Sequence, residues 1–271
     1  MTHKTLTTPR LLVALSALAI TATASAQVVS YSTSGSSYTQ NFNSLSTSTN
    51  NAQTWTQGET LAGWYATSSG AGDFANYTPS WQTGISAGVL YHARSTEESS
   101  RSFLGARTTS GIGNATIGLA LQNSTGATVE SFNLSFIASQ FYKTTAAQQL
   151  RVSFSTDATS LTSGTWTSIS SLTYTAPYTT GNAAVTTSEE LASRQTLSIA
   201  SQSLNWGAGE TMWIKWDSLR DLSGSYTGAA GVLAINDVSF SATAIPEPST
   251  YAALLGLGAL GLAVTARRSR A

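Results

Sequence analysis

Phe132-Asn133-Leu134-Ser135-Phe136-Ile137-Ala138 places Phe132, Leu134, Phe136 and Ala138 at alternate positions, so all four side chains leave the same face of an extended strand. Moving outward, Leu150, Val152 and Phe154 repeat the alternation. Trp166 with Ile169, Leu172 with Tyr174, and Leu197 with Ile199 give shorter segments, and Met212-Trp213-Ile214-Lys215-Trp216 gives a longer one. A closing strand runs from Val232 through Phe240. Clusters of Gly, Ser, Thr and Asn separate these runs, and no convincing helix intervenes. The expectation is an all-β fold, an antiparallel two-sheet β-sandwich or jelly roll, because a single sheet would leave one apolar face wet. From Gln27 to about Thr109 the alternation is less regular and reads as early strands joined by long loops. No internal repeat is evident.

Charged residues form only 10% of the 271-residue chain, but hydrophobic residues reach 41% and seven tryptophans are present, so a core can pack beneath a surface of hydroxyls and amides. The formal net charge of zero hides an asymmetry, since Lys4, Arg10, Arg267, Arg268 and Arg270 all lie near the two ends. Without those five and Glu247, eight basic residues stand against twelve acidic ones, a net charge of −4. A mildly acidic body with no basic cluster argues against nucleic acid as a partner. Cysteine is absent, which excludes disulfides, thiolate zinc sites and cysteine nucleophiles and leaves burial as the source of stability.

At the amino end, Lys4 and Arg10 precede an apolar run from Leu11 to Ile20, and Ala24-Ser25-Ala26 precedes Gln27. A positive region, a short apolar run and small residues before the cut make a secretory signal peptide, with signal peptidase as partner and Ala24 and Ala26 at the cleavage site. At the other end, Pro246-Glu247-Pro248 is followed by Ser249 and Thr250, an apolar stretch from Tyr251 to Ala266, then Arg267, Arg268 and Arg270. Two prolines so close continue neither a helix nor a central strand and mark an accessible linker. As a single transmembrane helix the apolar stretch rises about 24 Å, slightly short of a hydrocarbon core of about 30 Å, and snorkelling arginines cover the deficit. Arginines after such a segment hold that end in the cytoplasm, so the body is expected outside.

The tail from about Ile245 to Ala271 resembles the PEP-CTERM sorting signal, whose order is a Pro-Glu-Pro motif, a transmembrane helix and a short basic cluster. The resemblance implies that a membrane protease-transpeptidase of the exosortase type reads Pro246, Glu247 and Pro248. It also implies a transient membrane stage, cleavage near the motif, and delivery to the cell surface or beyond. Proteins of that kind commonly accompany exopolysaccharide production in Gram-negative bacteria, which points to extracellular polysaccharide as a further partner. The alternative is a permanent membrane anchor. The chain thus divides into a signal peptide (1–26), a β-sandwich body (27–243) and a sorting signal (244–271).

Within the body, Leu150-Arg151-Val152-Ser153-Phe154-Ser155-Thr156-Asp157 with Trp166, Trp213-Ile214-Lys215-Trp216-Asp217, and Ala234-Ile235-Asn236-Asp237-Val238-Ser239-Phe240 are similar to the jelly-roll exodomains of secreted bacterial proteins. Those often close on an Ile-Asp-Asp-Val type strand, and Asn236 here departs from the first acidic position.

Chemistry-bearing patterns are few. Gly84-Ile85-Ser86-Ala87-Gly88 fits the nucleophile-elbow pattern, but that elbow needs a following helix and a distant acid and histidine, whereas His92, four residues on, is the only histidine of the body. Gly256-Leu257-Gly258-Ala259-Leu260-Gly261 fits the dinucleotide fingerprint inside the apolar tail, with no strand before it and no acid after it. Glu97-Glu98 and Glu189-Glu190 offer carboxylates for glycoside hydrolysis only if one member of each pair meets the other across a cleft. Asp217, Asp221 and Asp237, with Asn236, are Ca²⁺ candidates that require the last two strands to pair; no other metal or cofactor is expected. Trp55, Trp64, Tyr65, Tyr77, Trp81 and Tyr91 would stack on sugar rings if exposed, although core packing is the usual fate of such side chains.

The expected role is that of a non-enzymatic, exported surface or extracellular-matrix protein, structural or polysaccharide-associated. The alternatives are a secreted carbohydrate-active enzyme with a jelly-roll cleft and a cell-surface adhesion module.

Overall fold

The computed structural model of the chain describes residues 27–48, 51–81, 87–94, 98 and 100–244. The expected signal peptide with Ala24 and Ala26, the sorting tail from 245 onward, and Gly84, Ile85, Ser86 and Glu97 lie outside the described residues, as does the side chain of Trp81. Among the described residues no helix is long and apolar enough to cross a membrane.

In chain order the first nine strands are β1 (Val29–Tyr31), β2 (Ser37–Gln40), β3 (Gln53–Thr54), β4 (Trp64–Ser68), β5 (Gly72–Asp73), β6 (Asn76–Trp81), β7 (Val89–Arg94), β8 (Ser102–Arg107) and β9 (Ala115–Asn123). The others are β10 (Val129–Lys143), β11 (Gln149–Ser155), β12 (Thr167–Ser168), β13 (Tyr174–Thr175), β14 (Ala183–Ala184), β15 (Gln195–Trp206), β16 (Thr211–Leu219) and β17 (Val232–Ala244). The first sheet runs β12-β11-β16-β9-β4-β5, with β1 added to β9 and β13 to β11. The second runs β14-β10-β17-β8-β7-β6-β3, with β15 added to β10 and β2 to β17. From β9 onward the long strands alternate between the sheets, β9, β11 and β16 in the first and β10, β15 and β17 in the second, so consecutive hydrophobic runs face one another rather than pair. Two pairings, β1 with β9 and β6 with β7, are parallel, a departure from the expected antiparallel arrangement.

The alternating runs decide what lies between the sheets. Phe132, Leu134, Phe136 and Ala138 of β10 are buried together with Leu150, Val152 and Phe154 of β11 and Met212, Ile214 and Trp216 of β16. Rings meet across the interior: Phe132 and Phe154 have centroids 5.2 Å apart and Phe136 and Trp216 5.8 Å apart, both edge to face. Trp64 stacks on Trp216 at 5.6 Å and donates its Nε1 hydrogen to the Tyr38 hydroxyl at 2.7 Å. Among the described residues the buried hydrophobic side chains run from Tyr31 to Ala242 and form a core within the body.

Strict alternation fails once inside β17. Ile235 and Val238 both enter the core although three residues apart, because the register to β10 slips between Ser135 and Ile137 and Asp237 takes a left-handed φ of 47°. This bulge re-aims the rest of the strand. A second difference is a helix, α1 (Thr187–Ser193), where none was expected. Thr186 and Glu189 form a reciprocal capping box there, the Thr186 hydroxyl accepting from the Glu189 N–H and the Thr186 N–H donating to the Glu189 carboxylate at 2.7 Å. The helix packs against β10 on the outer side of the second sheet, where Tyr91, Phe103, Phe141 and Val232 form a separate small core.

His92, on β7, is fully buried. Its Nδ1 lies 2.9 Å from the Ser46 carbonyl oxygen and so carries the hydrogen, while its buried Nε2 has no hydrogen-bond partner. Burial pushes the imidazole below its ordinary range, the carbonyl of Ser46 opposes that, and the Arg94 charge adds to the depression. The unfolded chain therefore takes up a proton at His92 before the folded protein does, and stability falls as pH drops below the unfolded value of about 6.5, by at most about 1.4 kcal/mol per pH unit. Urea unfolding midpoints are expected to decline between about pH 7 and pH 5, before the carboxylates contribute, and His92→Gln is expected to flatten that decline.

Candidate functional site

The outward face of the first sheet carries large side chains that the core does not use. Alternation along Met212-Trp213-Ile214-Lys215-Trp216 sends Met212, Ile214 and Trp216 inward and leaves Trp213 and Lys215 on the other face. In register, Trp213 stands beside Ala120, while Lys215 stands beside Gly118 and, one strand further, Tyr65. The Tyr65 and Trp213 rings lie 4.7 Å apart at 54°, with Trp213 buried and Tyr65 half-buried. Lys215 Nζ sits 4.3 Å from the centre of the Trp166 ring and 3.3 Å from the Asp217 carboxylate.

The turn between β11 and β12 folds back over this face. Asp157 accepts hydrogen bonds from the Ser155 hydroxyl at 2.6 Å and from the Thr165 N–H at 2.8 Å, which hold its carboxyl below the usual range. Ser163 accepts from the N–H groups of Thr159 and Ser160, both at 2.9 Å, and the Trp166 indole closes the turn on the Ser163 carbonyl at 2.7 Å. Leu161 is thereby set down on Gly118, where any Cβ would collide with it. Between this turn and β4 lies a cleft of about 190 Å³, lined by Gln57, Tyr65, Thr67, Asp73, residues 159–162 and Trp213. Gln57 is occupied structurally, donating to the carbonyls of Ala66 and Phe74 and accepting from the Ala66 N–H. Hydroxyls of Thr67, Thr159, Ser160 and Thr162 and the carboxylate of Asp73 supply the cleft's remaining polar character.

Of the aromatics singled out in the sequence, Trp55, Trp64, Tyr77 and Tyr91 are buried, and Tyr65 alone reaches the surface among those whose side chains are described. Core packing, the expected fate of such side chains, holds for those four, and no sugar platform is assembled from the described members of that set. Trp213 and Trp166, which the sequence reading did not single out for stacking, stand with Tyr65 instead, and the outward phase of Trp213 is the sequence signal by which it could be found.

The glutamate pairs do converge, but through a cation. Arg194 binds the fully buried Glu190 in a two-pronged contact, 2.8 Å to each oxygen, and also reaches Glu98 at 2.6 Å. Ser139 donates to Glu190 at 2.8 Å, and Arg101 joins Glu98 at 2.8 Å. The Arg194 guanidinium holds the Glu98 carboxyl below the usual range, so it is a poor proton donor at neutral pH. Glu189 serves the helix cap and pairs with Lys143 at 2.6 Å.

The Ca²⁺ candidates are separated, because β16 and β17 belong to different sheets and the pairing that would unite them does not form. Asp217 accepts from the Thr116 hydroxyl at 2.6 Å, and Asp237 pairs with Arg101 at 3.2 Å. Asp221 closes its own loop, accepting from the Tyr226 N–H at 2.7 Å and the Ser223 hydroxyl, which bring its carboxyl down to about 2. Asn236 is buried. Among the described residues no group of three or more His, Cys, Asp or Glu side chains is placed to hold a metal.

Residues 244–269 match the PEP-CTERM protein-sorting motif. That motif implies a protein exported, anchored at a membrane, and then processed by an exosortase. No curated protein matches the chain. Among solved structures it is similar to the enzymatically active domain of bacteriophage CBA120 tailspike protein 4, at 14% identity and a TM-score of 0.33, over 74% of this chain and 21% of that one. A family 6 carbohydrate-binding module is similar at 11% identity and a TM-score of 0.28, over 59% of this chain and 85% of the module. The insecticidal crystal protein Cry2Aa is similar at 11% identity and a TM-score of 0.25, over 62% and 23%. The chain thus spans about a fifth of the length of that tailspike domain.

Replacing Glu190 by Ala strands Arg194 beside a buried void, and a loss of about 3–5 kcal/mol is expected in chemical denaturation. Glu98→Ala, which removes an exposed contact to the same arginine, is expected to cost far less in that measurement.

Proposed function

We propose that this exported chain, bearing the PEP-CTERM sorting motif, is a non-catalytic matrix protein that binds extracellular polysaccharide in the cleft between β4 and the β11–β12 turn. The observation that carries the reading is the Tyr65 ring, standing half-exposed on buried Trp213 at the rim of a cleft whose other wall is hydroxyl-rich. A sugar ring has an apolar C–H face and a polar hydroxyl rim. An aromatic wall opposite Thr, Ser and a single carboxylate matches both, and the neutral hydroxyl wall favours an uncharged glycan. Glycoside hydrolysis needs two carboxylates flanking the bond, and Asp73 is the one carboxylate among the residues lining the cleft. Glu98 and Glu190, the pair that does meet, are joined through Arg194. Their arginine-bound state supports a structural role for them.

On this reading a signal peptide ending at Ala26 starts export, and the apolar stretch from Tyr251 to Ala266 crosses the inner membrane until the tail is processed. The cleft then faces the medium in which exopolysaccharide accumulates.

The body, residues 27–244, is expected to retain a neutral glycan on an array without cleaving it. Tyr65→Ala is expected to weaken that binding about tenfold, the loss of a ring contact worth on the order of 1.5 kcal/mol, whereas Tyr65→Phe keeps it. Titration calorimetry reads both, and equal affinity in the Ala variant removes the cleft from consideration; release of shortened sugars would instead mark an enzyme. In the producing cell, Pro246→Ala or Glu247→Ala is expected to leave full-length protein in the inner membrane, and unchanged processing on immunoblots would rule out sorting through that motif.

A further inference from the structure

β15 borders the second sheet on one side only: it pairs with β10 and, among the described residues, with no other strand. Elsewhere the strands that end the sheets are two to four residues long, whereas β15 has twelve. Its sequence, Gln195-Thr196-Leu197-Ser198-Ile199-Ala200-Ser201-Gln202-Ser203-Leu204-Asn205-Trp206, contains no charged residue, no proline and no glycine. Soluble proteins ordinarily guard so long an edge with lysines, prolines or bulges, because its outward N–H and C=O groups template another strand.

Bulges guard only part of it. The ladder to β10 slips between Val129 and Ser131 and again between Phe132 and Leu134, and Ser201, in the second slip, takes a φ of 54° with its N–H donated to the Asn133 side chain. Those irregularities twist the second half of the edge. The first half, Gln195–Ile199, runs in one-to-one register with Ala138 through Leu134, and Gln195, Thr196 and Ser198 are exposed. Leu191, four residues before this segment on α1, is one of two exposed large hydrophobic residues among those described.

We propose that Gln195–Ile199 is an interface on which a second copy of this chain docks, its β15 pairing antiparallel with the first. An antiparallel ladder about a two-fold axis is its own complement, since each outward donor meets the equivalent acceptor of the other copy. A neutral segment brings no like charges together when it meets itself. Among the described residues each chain carries one such edge, and pairing through it closes at two copies rather than building a fibre. The cleft lies on the other sheet and stays open, so the dimer presents two glycan sites, although the interface does not depend on the glycan reading.

Sedimentation velocity on residues 27–244 over a concentration series is expected to show a monomer–dimer equilibrium, with amides of residues 195–199 gaining exchange protection as concentration rises. Thr196→Lys/Ser198→Lys is expected to weaken the dimer at least tenfold, and the matched control Ser32→Lys/Ser37→Lys to leave it unchanged. Mixing the β15 lysine variant with Thr196→Glu/Ser198→Glu is expected to restore association, which a misfolded variant would not do. A body that stays monomeric at its highest soluble concentration overturns the proposal. So does a dimer indifferent to the β15 lysines.

Discussion

The two inner faces must exclude water from each other, and everything else in this fold is arranged around that contact. A chain without cysteine has no covalent staple, and only 10% of its residues are charged, so ion pairs contribute little. Burial remains, at roughly 1.5–3 kcal/mol for each large apolar side chain fully removed from water. Ring clusters concentrate that gain where the sheets meet. One joins Phe42, Trp64, Trp216 and Phe136; another joins Tyr31, Trp206, Phe240, Phe132 and Phe154. The second cluster also ties the two ends of the body together, since the Tyr31 hydroxyl donates to the Ala242 carbonyl and accepts from the Ala242 N–H, both at 2.9 Å.

Rings fill the space between the sheets, and the cleft with its aromatic and hydroxyl walls lies on an outer face. Three amide side chains act as stitches, Gln140 and Asn123 buried and Gln57 half-buried. Gln140 accepts from the Tyr178 N–H and donates to the Tyr178 carbonyl, pinning the segment between β13 and β14. Asn123 donates to the carbonyls of Ala127 and Trp206, and Gln57 bridges Ala66 and Phe74. Each stitch uses a neutral amide, whose burial costs far less than that of a charge once its hydrogen bonds are made. On the outer side of the second sheet Glu190 binds Arg194, and its two-pronged geometry with a further donor from Ser139 satisfies both carboxylate oxygens.

Much of this fold was legible because period-two burial is a local property. Phe132, Leu134, Phe136 and Ala138 announce their face without reference to any partner strand, and the same holds for β11 and β16. Which strands pair was not legible, since pairing is decided by long-range packing, and so the calcium set built on neighbouring β16 and β17 did not assemble. The bulge at Asp237 was hidden for a related reason, because an extra residue leaves no mark on composition. Helix α1 is two turns long without an apolar stripe, too short for periodicity to register, and only Thr186 with Glu189 three residues later marked its start. At the cleft, the outward phase of Trp213 could be read from its neighbours. The placement of Leu161 on Gly118 could not, because it follows from how the intervening turn folds back.

The sorting tail and the body meet at a mechanically favourable place. β17 is an interior strand, paired with β10 on one side and with β8 and β2 on the other, and its ladder to β10 continues to Ala244 opposite Val129. The Ala244 N–H adds a bond to the Ser34 hydroxyl at 2.8 Å. Only Ile245 separates that residue from Pro246, and the six residues from Ile245 to Thr250 reach at most about 20 Å before the apolar stretch begins. The folded body therefore stands close to any membrane that holds the stretch, and a processing enzyme has little slack chain to work with. Whatever grips the chain beyond Ala244 pulls along a strand bonded on both edges, so that many ladder bonds share the load in shear. An edge strand in the same position would peel one bond at a time.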